Sequence, residues 1–151
     1  MSDLDLELNL PGSSDSQIEL LLEMENKCFG SNAWNYKNLQ SHFQFHSSAI
    51  LLENQIRLAY LLFTETEDEV EILRIAVLPE YRRRNLGSFL LNFLFSKNKR
   101  ILLEVHNKNI DAIKFYESNH FKKIHTRNHY YENNESAYIY EYQAGIFHQE
   151  S

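Results

Sequence analysis

Glycine, proline and cysteine are scarce in this chain of 151 residues, which contains 4 Gly, 2 Pro and 1 Cys. The single cysteine, Cys28, cannot form an intrachain disulfide and is typical of a reducing compartment. No apolar run approaches the roughly 20 residues that span a bilayer, and the acidic N-terminus does not resemble a signal peptide. We therefore expect a cytoplasmic protein without a membrane partner.

Two common nucleotide-binding motifs are also missing. The chain contains neither G-x-x-x-x-G-K-[ST] nor G-x-G-x-x-G, so the sequence does not predict a P-loop or a dinucleotide site. His125 and His129 would lie about 13 Å apart on a strand, and no Cys or third ligand motif accompanies them, so no metal site is predicted. The net charge of −6 disfavours direct nucleic-acid binding and fits a positively charged partner.

The apolar spacing along the chain predicts alternating blocks of strand and helix. The predicted order is strand, helix, helix, three strands, helix, strand, helix and two strands, and the second helix is predicted over 31–45. This order favours an α+β protein with a mixed, largely antiparallel sheet flanked by helices. No repeat or linker interrupts the chain, so 1–151 is predicted to be a single domain. Residues 143–151 show no clear helix or strand pattern, and they are predicted to be a tail that can be disordered.

The stretch 71–91, EILRIAVLPEYRRRNLGSFLL, combines a strand, a basic loop and the start of a helix. The first turn of that helix would carry unpaired backbone N–H groups beside three arginines, a combination that binds phosphate. Three adjacent arginines alone are more often a solvated surface, but the strand before them and Gly87 after them favour the phosphate site. Five apolar residues at helical spacing predict the helix: Leu86, Phe89, Leu90, Phe93 and Leu94.

Residues 82–87, RRRNLG, resemble the (Q/R)-x-x-G-x-(G/A) acetyl-CoA loop of the GNAT superfamily of N-acetyltransferases. The preceding connection from Val77 to Arg82 is similar to the V-x-P-x-Y-R connection of that family. Asn85 stands where the family usually has its first glycine. Asn tolerates left-handed backbone better than most residues, although the approach to a pyrophosphate would be tighter than with Gly. The resemblance implies the GNAT acyl-CoA N-acyltransferase fold.

A second resemblance is narrower and covers 103–118. This run is similar to the L-E-V-R-x-x-N-x-x-A-x-x-x-Y-E-x run of RimI-type ribosomal-protein-alanine N-acetyltransferases, a GNAT branch that acts on protein N-termini. The pair Tyr130-Tyr131 followed by 135–137 resembles the Y-Y…E-x-A loop of that branch, and 25–39 resemble its F-P-W segment. The chain departs from the branch at several positions, among them Gly30 for the early Pro and His120 for a Gly.

Glu104 interrupts an apolar strand, and Tyr116 lies on the apolar stripe of the next helix, for which Asn109 is the predicted N-cap. From position alone, Glu104 is more often a solvated end residue and Tyr116 a packed core residue. Partial burial would make Glu104 a better proton acceptor near neutrality. The phenol of Tyr116, with an ordinary pKa of about 10, could protonate a departing thiolate.

The resemblance implies a role for each matched position. Glu104 would be the general base, Tyr116 the general acid, and Asn109 a contact of the cosubstrate. The backbone of Ile75, Ala76 and Val77 would pair with the pantetheine arm. The pyrophosphate would be lined by Arg83, Arg84, Asn85, Leu86, Gly87 and Ser88. The acceptor channel would be bordered by Trp34, Tyr130 and Tyr131.

The expected function is transfer of acetyl from acetyl-CoA to a protein N-terminal α-amine, directly and in a ternary complex. The acceptor implied by the resemblance is the N-terminal alanine of a small-subunit ribosomal protein. An α-amine has an ordinary pKa of about 8, against about 10.4 for lysine, so a glutamate deprotonates it with less help. Two alternatives remain open: acetylation of lysine or of a small amine such as a polyamine, and a CoA-binding module without catalysis.

Overall fold

A computed structural model describes residues 3–12, 14–130 and 135–145. The strands are β1 (Leu4–Asn9), β2 (Ser47–Glu53), β3 (Ile56–Glu65), β4 (Glu69–Val77), β5 (Arg100–His106), β6 (Lys122–Arg127) and β7 (Ala137–Tyr142). The α-helices are α1 (Asp15–Phe29), α2 (Tyr36–Phe45), α3 (Leu86–Phe95) and α4 (Ile110–Ser118), and 3-10 turns occupy Gly30–Asn32 and Pro79–Tyr81. The predicted order of elements is confirmed.

The strands form one sheet in the order β1-β2-β3-β4-β5-β7-β6. The pairings β1–β2, β2–β3, β5–β7 and β6–β7 are antiparallel, whereas β4–β5 is parallel. The β4–β5 register runs from Glu69↔Arg100 to Ile72↔Leu103. The predicted α+β class with a mixed, largely antiparallel sheet is therefore confirmed.

The chain forms two compact units, of which the first comprises Met1–Thr64 with Arg74–Leu90 and the second Glu65–Leu73 with Leu91–Ser151. The first unit buries a core of aliphatic and aromatic side chains: Ile18, Leu21, Met24, Leu39, Phe43, Ile50, Tyr60, Leu62 and Leu78. The second unit contains an aromatic cluster, formed by Phe95, Phe121, Tyr116 and Tyr142. The expectation of a single domain stays a prediction.

The segment before α2 was predicted to be helical, but it is not an α-helix. A helix over 31–45 is wrong, because Gly30–Asn32 form a 3-10 turn and α2 begins only at Tyr36. Asn35 caps α2: its side chain accepts from the backbone N–H of Asn38 at 2.8 Å, and the Asn38 side chain accepts from Asn35 N–H at 3.0 Å. This reciprocal cap satisfies two backbone donors and fixes the start of the helix. Trp34 therefore lies in the connection and not in a helix.

The buried face of α3 also differs from the predicted stripe. Leu86, Leu90 and Leu94 are buried as expected, but Phe89 is 39% exposed and Leu91 is fully buried. The buried face is therefore rotated towards Leu91.

Three basic residues that follow α3 are ion-paired. Lys97 and Lys99 both contact Glu65, at 2.9 and 2.8 Å, and Arg100 contacts Glu69 at 2.9 Å. Burial opposes the shift, but the hydrogen bonds from Lys99 and Lys97 hold the pKa of Glu65 below its ordinary value. The acidic turn between β3 and β4 thus forms ion pairs with these basic side chains within the second unit.

Candidate active site

The basic loop of the first unit turns through two left-handed residues into α3. Arg83 has φ 68° and Asn85 φ 58°. The carbonyl of Asn85 accepts the first helical hydrogen bond, from Phe89 N–H at 3.1 Å. The N–H groups of residues 86–88 come before that bond and have no partner four residues earlier within the helix. The loop therefore ends in the kind of helix start that favours an anion, and anion binding there stays a prediction.

The three arginines of this loop have different surroundings. The Arg82 guanidinium turns back and donates to the Val77 carbonyl at 3.0 Å. Arg84 forms an ion pair with Glu53 at 2.9 Å. The triplet is therefore only partly available as a cationic surface, and Arg82 serves to close the loop onto the end of β4.

The end of β4 carries the backbone expected to contact the pantetheine arm. Its register with β5 ends at Ile72, whereas β4 itself continues to Val77. The Val77 carbonyl also accepts a hydrogen bond from the Cys28 thiol, with 3.7 Å between the sulfur and the oxygen. Burial raises the pKa of this thiol, so Cys28 is poorly suited to act as a nucleophile.

A buried ion pair lies beside the Trp34 segment of the first unit. The Glu25 side chain is 0% exposed and pairs with Arg74, whose Nη2 lies 3.1 Å from Glu25 Oε1. Glu25 also accepts from the Tyr60 hydroxyl and from Trp34 N–H at 2.8 Å. Burial and the Glu25 contact raise the pKa of Tyr60, so this phenol stays protonated. The pair connects α1, β3, β4 and the Trp34 segment.

Glu104 of the second unit lies on β5 with its side chain on the less buried face. Ile101, Leu103 and Val105 are buried, as the alternation predicted. The Glu104 side chain is 30% exposed, and its Oε1 accepts from Arg127 Nη1 at 3.1 Å. The ion pair orients the carboxylate.

The side chain of Tyr116 is buried in the second unit. It is 7% exposed and packs edge-on against Phe121, with ring centroids 5.5 Å apart. Burial raises the pKa of its hydroxyl above the ordinary value. Its hydroxyl has no hydrogen-bond partner among the described residues, which leaves the donor available to a ligand.

Asn109 begins α4, as the sequence predicted. Its side chain accepts from Ala112 N–H at 3.3 Å, which is the N-cap geometry. The turn that leads to Asn109 is held by His106, whose Nδ1 accepts from Lys108 N–H at 3.0 Å. Glu135 pairs with His106 Nε2 and, at 2.9 Å, with Lys108 Nζ. Three side chains thus brace the strand end that carries Glu104.

The aromatic residues expected at the acceptor channel are only partly described. Trp34 packs edge-on against His42 in the first unit, with centroids 5.9 Å apart. Tyr130 is 51% exposed in the second unit, and the guanidinium of Arg127 lies 5.4 Å from its ring centroid. Tyr131 lies outside the described residues.

Two further properties concern the described part of the chain alone. It contains no cluster of three or more His, Cys, Asp or Glu side chains that could hold a metal ion. None of its helices combines the length and the apolarity needed to span a bilayer.

Comparison with known proteins identifies the family. The Acetyltransferase (GNAT) family matches residues 18–121. The chain belongs to this family. The GNAT match begins within α1, includes the basic loop and both Glu104 and Tyr116, and ends at Phe121.

The curated relatives that the chain matches include proteins named as N-acetyltransferases. An N-alpha-acetyltransferase of Saccharolobus solfataricus is 38% identical over 74 residues, which cover 45% of this chain and 44% of the relative. A [Ribosomal protein bS18]-alanine N-acetyltransferase of Salmonella typhimurium is 32% identical over 113 residues, covering 71% of this chain and 69% of the relative. The chain thus spans less than half the length of the Saccharolobus solfataricus relative.

The fold is shared with a solved structure over nearly its whole length. The ribosomal-protein-S18-alanine N-acetyltransferase from Escherichia coli superposes with a TM-score of 0.76 and 25% identity, covering 91% of this chain and 92% of that chain. The predicted GNAT fold is therefore confirmed.

The sequence did not point to Arg74, Arg127 or His106 as parts of the site. Arg74 interrupts an apolar strand just as Glu104 does, and that signal could have found it. The pairing of Arg127 with Glu104 follows from the β5-β7-β6 order, which apolar spacing does not reveal.

Proposed function

We propose that this GNAT-family chain transfers the acetyl group of acetyl-CoA to the α-amine of a protein N-terminus. The observation that carries the proposal is the shape of the loop before α3, where Asn85 adopts φ 58° and the helix presents its first N–H groups. A helix start of this kind suits the pyrophosphate of an acyl-CoA. Asn85 thus takes the left-handed backbone that a glycine would take, so its presence is compatible with the site.

The acceptor is proposed from the relatives. The Saccharolobus solfataricus relative is named an N-alpha-acetyltransferase, and the Salmonella typhimurium relative is named for the alanine of ribosomal protein bS18. These names favour a protein α-amine as acceptor. The finer proposal is the N-terminal alanine of a small-subunit ribosomal protein.

Glu104 is the proposed general base. Arg127 occupies Oε1, whereas Oε2 has no hydrogen-bond partner in the described part of the chain. This oxygen would take a proton from the α-ammonium, directly or through one water. The neutral amine then attacks the thioester that acetyl-CoA supplies.

The remaining roles concern charge that develops during transfer. Backbone N–H groups of Ile75–Val77 are proposed to stabilise the oxyanion. Tyr116 is the proposed proton donor to the departing thiolate. Because burial raises its pKa, the phenol is fully protonated near neutrality but is a weaker acid than a free phenol. Transfer from Tyr116 would therefore accompany C–S cleavage instead of preceding it.

Mass spectrometry of one designed peptide tests the proposal. The peptide begins with alanine and contains one internal lysine, and the full chain is incubated with it and acetyl-CoA. We expect one acetyl group on the α-amine, and a rate at least about a hundredfold lower for Glu104→Gln if Glu104 is the base.

Glu71→Gln is the matched control, because Glu71 is an exposed strand glutamate of the same unit. It should retain the wild-type rate. Acetylation of the lysine alone would contradict the N-terminal acceptor and favour a lysine or small-amine substrate. Binding of acetyl-CoA without transfer to this peptide or to a panel of amines would favour a non-catalytic module.

A further inference from the structure

The proposed mechanism does not use the buried ion pair between Glu25 and Arg74. Glu25 is 0% exposed and Arg74 is 20% exposed at the side chain. Desolvating two charges is costly, and an apolar pair of similar volume is often equally stable or more stable. The pair is therefore better explained by what it positions than by the stability it adds.

The pair fixes the Trp34 segment at two backbone points. Glu25 Oε1 accepts from Trp34 N–H at 2.8 Å, and Arg74 Nη2 donates to the Asn32 carbonyl at 2.7 Å. The Arg74 guanidinium also lies over the ring of Phe29, with Cζ 3.8 Å from the ring centroid. Arg74 is thus held in one orientation by a carboxylate, a carbonyl and an aromatic face.

The Arg74 guanidinium retains open donors in this orientation. Nε donates to both Glu25 oxygens at 3.2 Å, and Nη2 donates to Glu25 Oε1 and to Asn32. Of the five N–H bonds of a guanidinium, those of Nη1 remain. They have no hydrogen-bond partner within the described residues. Arg74 directly precedes Ile75, where the backbone proposed to contact the cosubstrate begins.

We propose that Arg74, through Nη1, binds the backbone carbonyl oxygen of the first residue of the acceptor. This inference rests on the proposed function. Because Glu25 neutralises the guanidinium, the open edge favours a neutral carbonyl over a carboxylate. The acceptor class is therefore a peptide N-terminus, which carries that carbonyl, and not a simple amine, which lacks it.

A cycle between enzyme and substrate tests the contact. The kcat/KM of wild type is measured on an alanine-starting peptide and on its analogue with a trans-alkene in place of the first peptide bond. Both measurements are repeated with Arg74→Lys. A hydrogen bond from a charged donor predicts that the peptide-to-alkene ratio falls about tenfold or more in the variant. The intrinsic effect of the alkene on the α-amine cancels in this comparison.

A purely structural role gives a different result. It would lower kcat/KM equally for both acceptors, and an unchanged ratio would overturn the inference. Arg100→Lys, an ion-paired arginine of the second unit, is the matched control and should keep the wild-type ratio. If Arg74→Lys does not fold, the double variant Glu25→Gln with Arg74→Gln replaces it, because it leaves no buried charge unpaired. A wild-type chain that binds acetyl-CoA but acetylates neither acceptor would overturn the proposed function itself.

Discussion

At the scale of single residues, Glu104 and Tyr116 differ in how the fold treats their polar atoms. Glu104 is ion-paired with Arg127 and oriented by it, whereas the Tyr116 side chain is buried among aromatic rings and its hydroxyl has no hydrogen-bond partner among the described residues. A hydroxyl without a hydrogen-bond partner adds little to the stability of the protein. The open hydroxyl of Tyr116 fits its proposed role as a proton donor to a ligand.

Tyr116→Phe separates catalysis from packing. The ring keeps its contacts with Phe115 and Phe121, so we expect the free energy of unfolding to remain unchanged or to rise. Loss of a general acid lowers kcat by about a hundredfold or more. Tyr142→Phe is the control, since Tyr142 stacks on Phe95 at 4.1 Å and has no assigned role. Equal rates for the two variants would remove Tyr116 from the mechanism. Denaturant titration and steady-state kinetics make the comparison.

At the scale of elements, α4 ends in a left-handed residue where the RimI-type branch has a glycine. His120 adopts φ 73° at the end of this helix. Phe121 N–H donates to the Tyr116 carbonyl at 3.0 Å and His120 N–H to the Glu117 carbonyl at 3.2 Å. These are the two bonds of a Schellman motif, in which glycine is usual at the left-handed position.

His120→Gly should therefore stabilise the protein. Relief of the left-handed strain is worth about 1 kcal/mol, which corresponds to a rise in Tm of roughly 2–4 °C for a chain of this size. Ser118→Gly is the contrasting variant, because residue 118 is helical and glycine there should lower stability by up to about 1 kcal/mol. A lower Tm for His120→Gly would show that contacts of the histidine outweigh the strain. Thermal unfolding followed by circular dichroism measures both changes.

At the scale of the whole molecule, the chain has a net charge of −6 and contains a buried histidine. His42 is 4% exposed, and its Nε2 donates to the Ser47 carbonyl at 2.8 Å. Burial lowers its pKa, the Ser47 hydrogen bond opposes this, and nearby His46 adds to the lowering. The folded state therefore resists protonation of His42 more than the unfolded chain does.

The consequence is a loss of stability on acidification. The unfolded chain binds the proton at the ordinary pKa of about 6.5, whereas the folded chain binds it only at lower pH. The contribution of neutral His42 to the free energy of unfolding is fully present above about pH 6.5. It is lost as the pH falls towards the lowered pKa of the folded state. His42→Gln, which keeps a donor for Ser47, should flatten this dependence between about pH 5 and 7, while the exposed His125→Gln should not. Urea titrations across this pH range measure the free energy of unfolding. If that free energy changes with pH equally in wild type and in His42→Gln, the assignment to His42 is contradicted.

The sequence by itself determined the order of elements, the α+β class, the basic loop and the cap at Asn109. These features depend on local spacing and on backbone preferences, which neighbouring residues encode. It misplaced the start of α2 and gave an incomplete buried face for α3. In the first case the cap at Asn35 outweighed an apolar pattern, and in the second Phe89 lies at the margin of the buried face.

Tertiary structure alone decided which polar groups meet. Glu25 and Arg74 are 49 residues apart, and Glu104 and Arg127 are 23 apart, so no local pattern predicts either pair. Burial of Tyr116, which raises its pKa, likewise depends on Phe121 beyond the helix. Charge and acidity at the candidate site follow from contacts between distant segments, and such contacts exist only after the chain has folded.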